Sequence, residues 1–408
     1  MSDVILLVHR IPFPPDKGDK IRSWHLLKHL ARSHRVHLGA FVDDSGDYQH
    51  RTELEACCES VFLRPVGGWR SRFGALAALS RRRSLGVGYY ADGAMSDWVA
   101  HLLANSDIRA VIAFSSTMAQ YLPFGTRGTA ALIADFVDVD SDKWRQYAAE
   151  TKWPRRWLYQ YEAQALGRWE AEVLDRVDAV SVVSRAESEI VPGRSTVNAG
   201  KIAVIPNGVD YASFDPVADW TDPFDGNRKV VVFTGAMDYY ANVDGVCWFA
   251  EQVWEAIRER HSGAEFCVVG SKPVPAVLAL AQRPGITVTG RVPDVRPYLA
   301  HAGVVVAPLR LARGVQNKVL EALSMDRPVV ATPQALRGLD GTPPPSAVAA
   351  SAAEDFAREV NERLKSSPSA AAAGGRNYVR RHYDWSQNLA QLDRWLPGDN
   401  EVRNGTLG

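Results

Sequence analysis

The chain reads as an α/β protein built from two Rossmann-like domains, each a parallel sheet covered by helices on both faces. Three observations lead there. At 408 residues the chain is too long for one ordinary core and suits two domains. Short, unbroken Val/Ile/Leu/Ala runs recur along it, separated by longer stretches with helical spacing. Near the middle, residues 218–228 are rich in Asp, Pro, Gly and Asn and mark a linker.

The first series of apolar runs covers 4–8, 36–42, 110–114, 130–137, 179–183 and 203–206, which predicts one six-stranded sheet. The second covers 230–234, 266–269, 286–289, 304–307, 329–331 and 347–350, which predicts another. The expected division is an N-terminal domain over 1–210 and a C-terminal domain over 211–380, with a cleft between them. Residues 380–396, with Tyr383, Trp385, Leu389, Leu392 and Trp395, carry the spacing of an amphipathic helix. A terminal helix over 381–399 is therefore expected to pack back toward the N-terminal domain, followed by a frayed tail over 400–408.

Composition narrows the function classes. The 47 basic residues balance the 47 acidic ones, which argues against a chain that coats nucleic acid. With 46% hydrophobic and 9% aromatic residues, large cores can be buried. Cys57, Cys58, Cys247 and Cys267 are too irregular for a disulfide framework and form no zinc-type pair, so the reducing cytoplasm is the expected compartment. Residues 4–8 follow the start without a basic region or a long apolar core, so no signal peptide is read. The longest apolar runs are strand-sized, far below the ~20 residues that cross a bilayer.

Two strand-to-helix loops stand out. Pro12-Phe-Pro-Pro-Asp-Lys-Gly-Asp-Lys-Ile-Arg-Ser-Trp follows the first strand and opens a helix with Ile21, Trp24, Leu27 and Leu30 on its apolar side. Gly18 permits close backbone approach, Asp19 suits an N-cap, and first-turn amides with Lys20 and Arg22 form a place for an anion. An ordinary capped turn has the same features. The second loop is Val306-Ala-Pro-Leu-Arg-Leu-Ala-Arg-Gly-Val-Gln-Asn-Lys-Val-Leu-Glu. Amides near Gly314 and Val315 would face a phosphate and Lys318 would lie in the first helical turn. Glu321 shares a helix face with Lys318, where a carboxylate can accept hydrogen bonds from ribose hydroxyls. A surface Lys–Glu pair would look alike.

The stretch Asn317-Lys-Val-Leu-Glu-Ala-Leu-Ser-Met-Asp-Arg-Pro-Val-Val-Ala-Thr resembles the nucleotide-sugar-binding motif of retaining glycosyltransferases of the GT-B fold, family 4. Ile205-Pro-Asn-Gly-Val-Asp, Phe233-Thr-Gly-Ala-Met-Asp-Tyr, Val288-Thr-Gly-Arg-Val-Pro-Asp-Val and the Pro/Gly-Asp-Lys loop after the first strand occur in the order which that family uses. Asp135-Phe-Val-Asp-Val-Asp-Ser-Asp-Lys-Trp and Ala312-Arg-Gly-Val-Gln-Asn-Lys-Val-Leu-Glu look like a subgroup associated with exosortase/PEP-CTERM exopolysaccharide loci. The resemblance implies transfer of a sugar from a nucleoside diphosphate donor to a saccharide or polyprenyl-linked acceptor, with retention and with no further cofactor or metal. It implies that Glu321 holds the donor ribose, that Gly314, Val315, Gln316, Asn317 and Lys318 hold the diphosphate, and that Gly235 and Gly18 line the donor phosphates. Arg291 and Val292 would begin the base-contacting loop, and Asp19, Lys20, Arg22 and Asp138 would face the acceptor.

Three positions depart from the family's usual pattern. Arg313 stands where many members have an acidic residue eight positions before the ribose-binding Glu. The loop after Gly235 lacks the usual Arg and Lys, so Arg313 and Lys318 are expected to supply positive charge to the reaction. Ser115 follows the strand at 110–114 where many members carry a His, and it can donate to a sugar hydroxyl.

Asp138-Val-Asp140 imitates a metal-binding carboxylate pair of another glycosyltransferase fold, and Asp138, Asp140 and Asp142 imitate a calcium loop, but Lys143 fills the Gly position. His25-Leu-Leu-Lys-His29 lacks the Glu of a zinc hydrolase. Arg70, Arg72, Arg81, Arg82 and Arg83 flank Phe73-Gly-Ala-Leu-Ala-Ala-Leu without an acid among them. That stretch fits a solvated helix or an interfacial one on anionic lipid at the inner face of the plasma membrane. A nucleotide-sugar epimerase of the same fold and a non-catalytic sugar-nucleotide-binding subunit are the alternative functions.

Overall fold

The computed structural model describes residues 1–396 except 16, 126–127, 194, 196–197, 227–228, 313 and 366–373; the side chains of Arg70 and Glu150 also stand outside the description. The chain divides into two compact units. Unit 1 is Met1–Pro206 together with the chain from Leu389 onward, and unit 2 is Asn207–Asn388.

Unit 1 is built on seven strands: β1 Ser2–Val8, β2 His34–Val42, β3 Ser60–Pro65, β4 Ile108–Phe114, β5 Ala131–Val137, β6 Ala179–Val182 and β7 Ile202–Val204. Every pairing is parallel and the spatial order is β3-β2-β1-β4-β5-β6-β7. Val4 through Val8 are wholly buried, as a central strand covered on both faces requires. β3 is the strand that the apolar runs do not reveal. It sits at the sheet edge, half-buried along most of its length and carrying Arg64, so no continuous apolar signal marks it.

Unit 2 holds β8 Val230–Thr234, β9 Glu265–Val269, β10 Ile286–Gly290, β11 Val304–Ala307, β12 Val329–Ala331 and β13 Ala347–Ala349. The order is β10-β9-β8-β11-β12-β13, again with parallel pairing throughout. The α/β expectation of two parallel sheets is met. In each sheet the strand order reverses beside the first strand, between β1 and β4 and between β8 and β11. Loops leave the carboxyl ends of those strands in diverging directions, and the crevice between them is where such folds bind ligands.

The terminal segment is not the single helix that its spacing suggests. The helices Gly375–His382 and Trp385–Leu389 are followed by the 3-10 turn Ala390–Trp395. Tyr383 and Asp384 break the run because their backbone has another partner: Val209 N donates to Tyr383 O at 2.8 Å, and Val209 and Asp384 form a parallel bridge. Asp384 then accepts from Gln387 N at 2.9 Å and starts the next turn. Beyond it Leu389 and Leu392 are buried, and His29 and Asp393 meet at 2.8 Å. The expected tail over 400–408 and the Ala-rich stretch at 370–373 lie outside the described residues.

Candidate functional site

In unit 2 the site is assembled from the loop after β8, the loop after β11 and the helix Asn317–Ser324. That helix starts at Gln316 in extended conformation, without a side-chain cap. With no side chain capping it, the start of the helix can take an outside acceptor. Lys318, in the first turn, donates to Asn242 Oδ1 at 2.6 Å, and its ammonium lies 4.3 Å from the centre of the Phe233 ring. Asn242 is oriented in turn by donating through Nδ2 to Ala236 O at 2.9 Å. The Lys318 ammonium is therefore aimed at the backbone that leaves β8.

Glycine is required at that backbone. A Cβ on Gly235 would lie 2.7 Å from Asn242 Nδ2 and 3.1 Å from Lys318 Nζ, so any side chain would displace the pair. The loop after β11 is fixed just as tightly. Gly314 has φ +57°, and a Cβ on Gly338 would collide with Gly314 O and lie 2.7 Å from Val315 N. Arg310 makes a forked pair with Asp244 on the helix Tyr240–Gln252, Nε donating at 2.9 Å. The Asn317 amide side chain leaves its Oδ1 buried without a partner among the described residues.

Burial lowers Lys318 to about 7, the nearby Glu321 carboxylate resisting the shift. Burial also raises Glu321 to about 7, with Lys318 opposing. The Glu321 side chain is half-buried, and among the described residues its carboxylate has no hydrogen-bond or ion-pair partner. An acceptor thus stands one helical turn behind a cation at the start of the helix. Arg291 and Val292 follow β10, Arg291 exposed and Val292 packed against the core of unit 2. Arg313 lies outside the described residues.

The unit 1 residues behave differently. The helix Gly18–Leu30 begins at Lys17, and Gly18 is exposed at its start. Asp19 is not the N-cap; it lies inside the first turn, where Arg10 Nη1 donates to it at 2.5 Å and His9 Nε2 stands at 3.3 Å. Burial would raise the Asp19 carboxyl, but His9 and Arg10 hold it well below the usual carboxylate range. Lys20 and Arg22, expected to face the acceptor, are turned inward. Lys20 is buried and donates to Asp47 at 2.6 Å. Arg22 is buried against Asp135, donating at 2.8 and 3.2 Å, and against Ile205 O at 2.9 Å. Held by carboxylates of the fold, these two cations position the loop instead of offering charge to a ligand.

Asp135 is the centre of this unit's edge. Besides Arg22 it accepts from Val137 N at 3.1 Å, and its carbonyl accepts from Ser115 N at 2.7 Å. Ser115 (φ +79°) and Val137 (φ +65°) both sit in the left-handed region, which non-glycine residues avoid. Strain of this kind persists where the surroundings hold it, and here a buried ion pair does so. The Ser115 hydroxyl meets Thr117 Oγ1 at 3.0 Å. Asp138 follows on the loop that Glu187 anchors by accepting from Val139 N at 2.6 Å.

His9 is the residue that the motif reading passes over. It follows β1, stacks on Phe114 with ring centres 5.7 Å apart, and so stands next to Ser115. Its Nδ1 is buried without a partner among the described residues. With Asp19 ionised, Nε2–H is the donor to it. The signal in sequence is slight: an imidazole directly after the apolar run 4–8. Among the described residues no group of three or more His, Cys, Asp or Glu is placed to hold a metal, and no helix is long and apolar enough to cross a membrane.

Two family models match the chain. Residues 21–213 match Glycosyltransferase Family 4, and residues 228–366 match Glycosyl transferases group 1. No curated protein is similar enough in sequence to count as a match. Among solved structures, sucrose-phosphate synthase from Thermosynechococcus elongatus superposes with a TM-score of 0.69 at 16% identity, covering 97% of this chain and 98% of its own. HepE from Anabaena, solved with UDP and glucose, gives 0.66 at 15% identity over 96% and 98%. WaaG, a glycosyltransferase involved in lipopolysaccharide biosynthesis, gives 0.63 at 17% identity over 97% and 100%. At such identities the likeness is one of fold.

Proposed function

Since this chain carries a Glycosyltransferase Family 4 domain and a group 1 glycosyl transferase domain on the GT-B fold, and is thereby a glycosyltransferase, we propose that it transfers a hexose from a nucleoside diphosphate sugar to a saccharide or polyprenyl-linked saccharide, with retention at the anomeric carbon. Unit 2 takes the donor and unit 1 the acceptor. The reaction places the enzyme on the cytoplasmic side, in the making of a cell-surface polysaccharide. The subgroup motifs around Asp135 and Ala312 and the likeness to WaaG support that setting, and HepE, solved with UDP and glucose, makes UDP-glucose the first donor to try.

The observation that carries the reading is the arrangement at the start of helix Asn317–Ser324: uncapped amides, a buried ammonium over a bare glycine backbone, and an unpartnered carboxylate one turn on. When the glycosyl bond breaks, the departing nucleoside diphosphate gathers negative charge. Amides of Gly314 to Asn317 and the ammonium of Lys318, fixed beforehand, stabilise that charge as it forms. Glu321 accepts from the ribose hydroxyls and sets the register of the donor. Arg291 and Val292 border the base, Arg313 adds charge at the diphosphate, and Gly235 leaves room for the phosphates. Ser115 and His9 present a hydroxyl and an imidazole to sugar hydroxyls, while Asp19 and Asp138 border the acceptor. The donor is a co-substrate, and no cofactor enters.

A thermal-shift screen against nucleoside diphosphates and their sugars tests donor binding, because a ligand of the folded state raises its apparent stability. Glu321→Ala is expected to weaken the best donor by about 1.5–3 kcal/mol, roughly 10- to 150-fold in calorimetric titration. Unchanged affinity would take Glu321 out of the site. Donor turnover to an isomer without any acceptor would replace transfer by epimerisation.

A further inference from the structure

The helix Gly68–Ser80 is built inside out. Its inward side is made of small residues: Ser71 and Ala78 are buried, and Gly74 comes so close to Gly88 on the helix Leu85–Tyr89 that a Cβ there would strike the Gly88 carbonyl. Its large apolar residues point outward. Trp69, Phe73 and Leu76 are 67%, 61% and 60% exposed. Their spacing of four and three residues puts them on one face. A helix whose apolar side was meant for the core would present the reverse arrangement.

We infer that this face seats unit 1 on the surface of an anionic lipid bilayer. The charge pattern selects that occupant. No acidic residue occurs from Gly68 to Arg83, while Arg72 lies beside the apolar stripe and Arg81, Arg82 and Arg83 follow its end, all exposed. Among the described residues none of these four guanidinium groups has a hydrogen bond or ion pair. Trp and Phe with Arg at their margin suit the boundary between headgroups and acyl chains. Each Arg near an anionic surface adds about fivefold to binding.

The face is held rigidly. Glu162, on the helix Arg155–Arg176, accepts from Ser84 Oγ and Leu85 N at 2.6 Å and from Gly86 N at 2.9 Å, which fixes the segment just beyond the Arg cluster. Tyr161 donates to Arg83 O at 2.9 Å and stacks with Trp157, itself 56% exposed. A second apolar ring therefore stands beside the cluster. A bilayer-seated enzyme would meet a polyprenyl-linked acceptor where that acceptor resides. The inference deepens the proposed acceptor class, yet its own evidence is the helix alone.

Sedimentation of the full-length protein with vesicles tests it. Wild type is expected to bind phosphatidylglycerol-containing vesicles and to bind pure phosphatidylcholine at least tenfold more weakly. The variant W69S/F73S/L76S and the variant R81A/R82A/R83A are each expected to lose binding, the latter by roughly 100-fold. Both should keep the wild-type melting temperature and the nucleotide-induced shift, since the altered side chains are exposed. Retained vesicle binding in both variants would overturn the inference. So would wild type that ignores anionic vesicles, including the case in which it self-associates through this face in light scattering. Loss of the nucleotide shift in wild type, with vesicle binding intact, would instead count against the donor reading.

Discussion

Burial lowers Lys318 to about 7, against the pull of Glu321, so its charge is sensitive to pH near neutrality. If the proposed diphosphate site uses its ammonium, that charge is lost as pH rises through about 7. Affinity for a nucleoside diphosphate sugar is accordingly expected to fall roughly 10- to 30-fold between pH 6.5 and 8.5, measured by titration calorimetry. Glu321 opposes the desolvation of Lys318. Its neutralisation in Glu321→Gln should move the fall to lower pH, whereas a carboxylate without influence on Lys318 would leave the profile in place. Asp135→Asn tests the other unit. It leaves Arg22 buried without its counter-charge, a loss of about 3–5 kcal/mol in chemical denaturation. The two residue groups were unequally legible beforehand. Lys318 and Glu321 stand in one short motif with a local helical geometry. The partner of Arg22 is Asp135, far along the chain, so only the folded structure shows that Arg22 faces inward.

Among the elements, the loop after β11 depends on a glycine that belongs to neither the loop nor its helix. Gly338 follows the short helix Pro333–Leu336 and lies against Gly314 and Val315. Gly338→Ala should push that loop out of place, weakening donor binding at least tenfold while costing about 1–3 kcal/mol of stability. A variant with unchanged donor affinity would show that the loop tolerates displacement. Strands covered on both faces were readable from their unbroken apolar runs. β3 was not, because an edge strand exposes one side and mixes its residue types. The break at Tyr383 and Asp384 was also unreadable, since it answers to Val209, whose backbone pairs there.

For the whole molecule, zero net charge excluded little. The balance of 47 against 47 conceals a helix that carries only positive charge and, at the proposed phosphate site, a lysine that burial lowers to about 7. The division into units makes a further prediction. A chain ended after Asn388 would lose Leu389 and Leu392, both buried in unit 1, along with the pairing of His29 with Asp393. Each Leu contributes about 1.5–3 kcal/mol. Calorimetry of the shortened chain should show unit 1 melting earlier while the nucleotide-induced shift of unit 2 persists. Equal melting of both would mean that the returning segment is dispensable.

That returning segment also orders events on the ribosome. Unit 2 is one uninterrupted stretch and has all its residues by Asn388, but unit 1, although begun first, lacks its closing leucines until the ribosome has passed through the whole of unit 2. At about 5–20 residues per second unit 1 waits roughly 10–40 s without the buried Leu389 and Leu392. The nascent chain thus carries a sticky, incomplete domain throughout the synthesis of the other, and chaperone demand should peak in that interval.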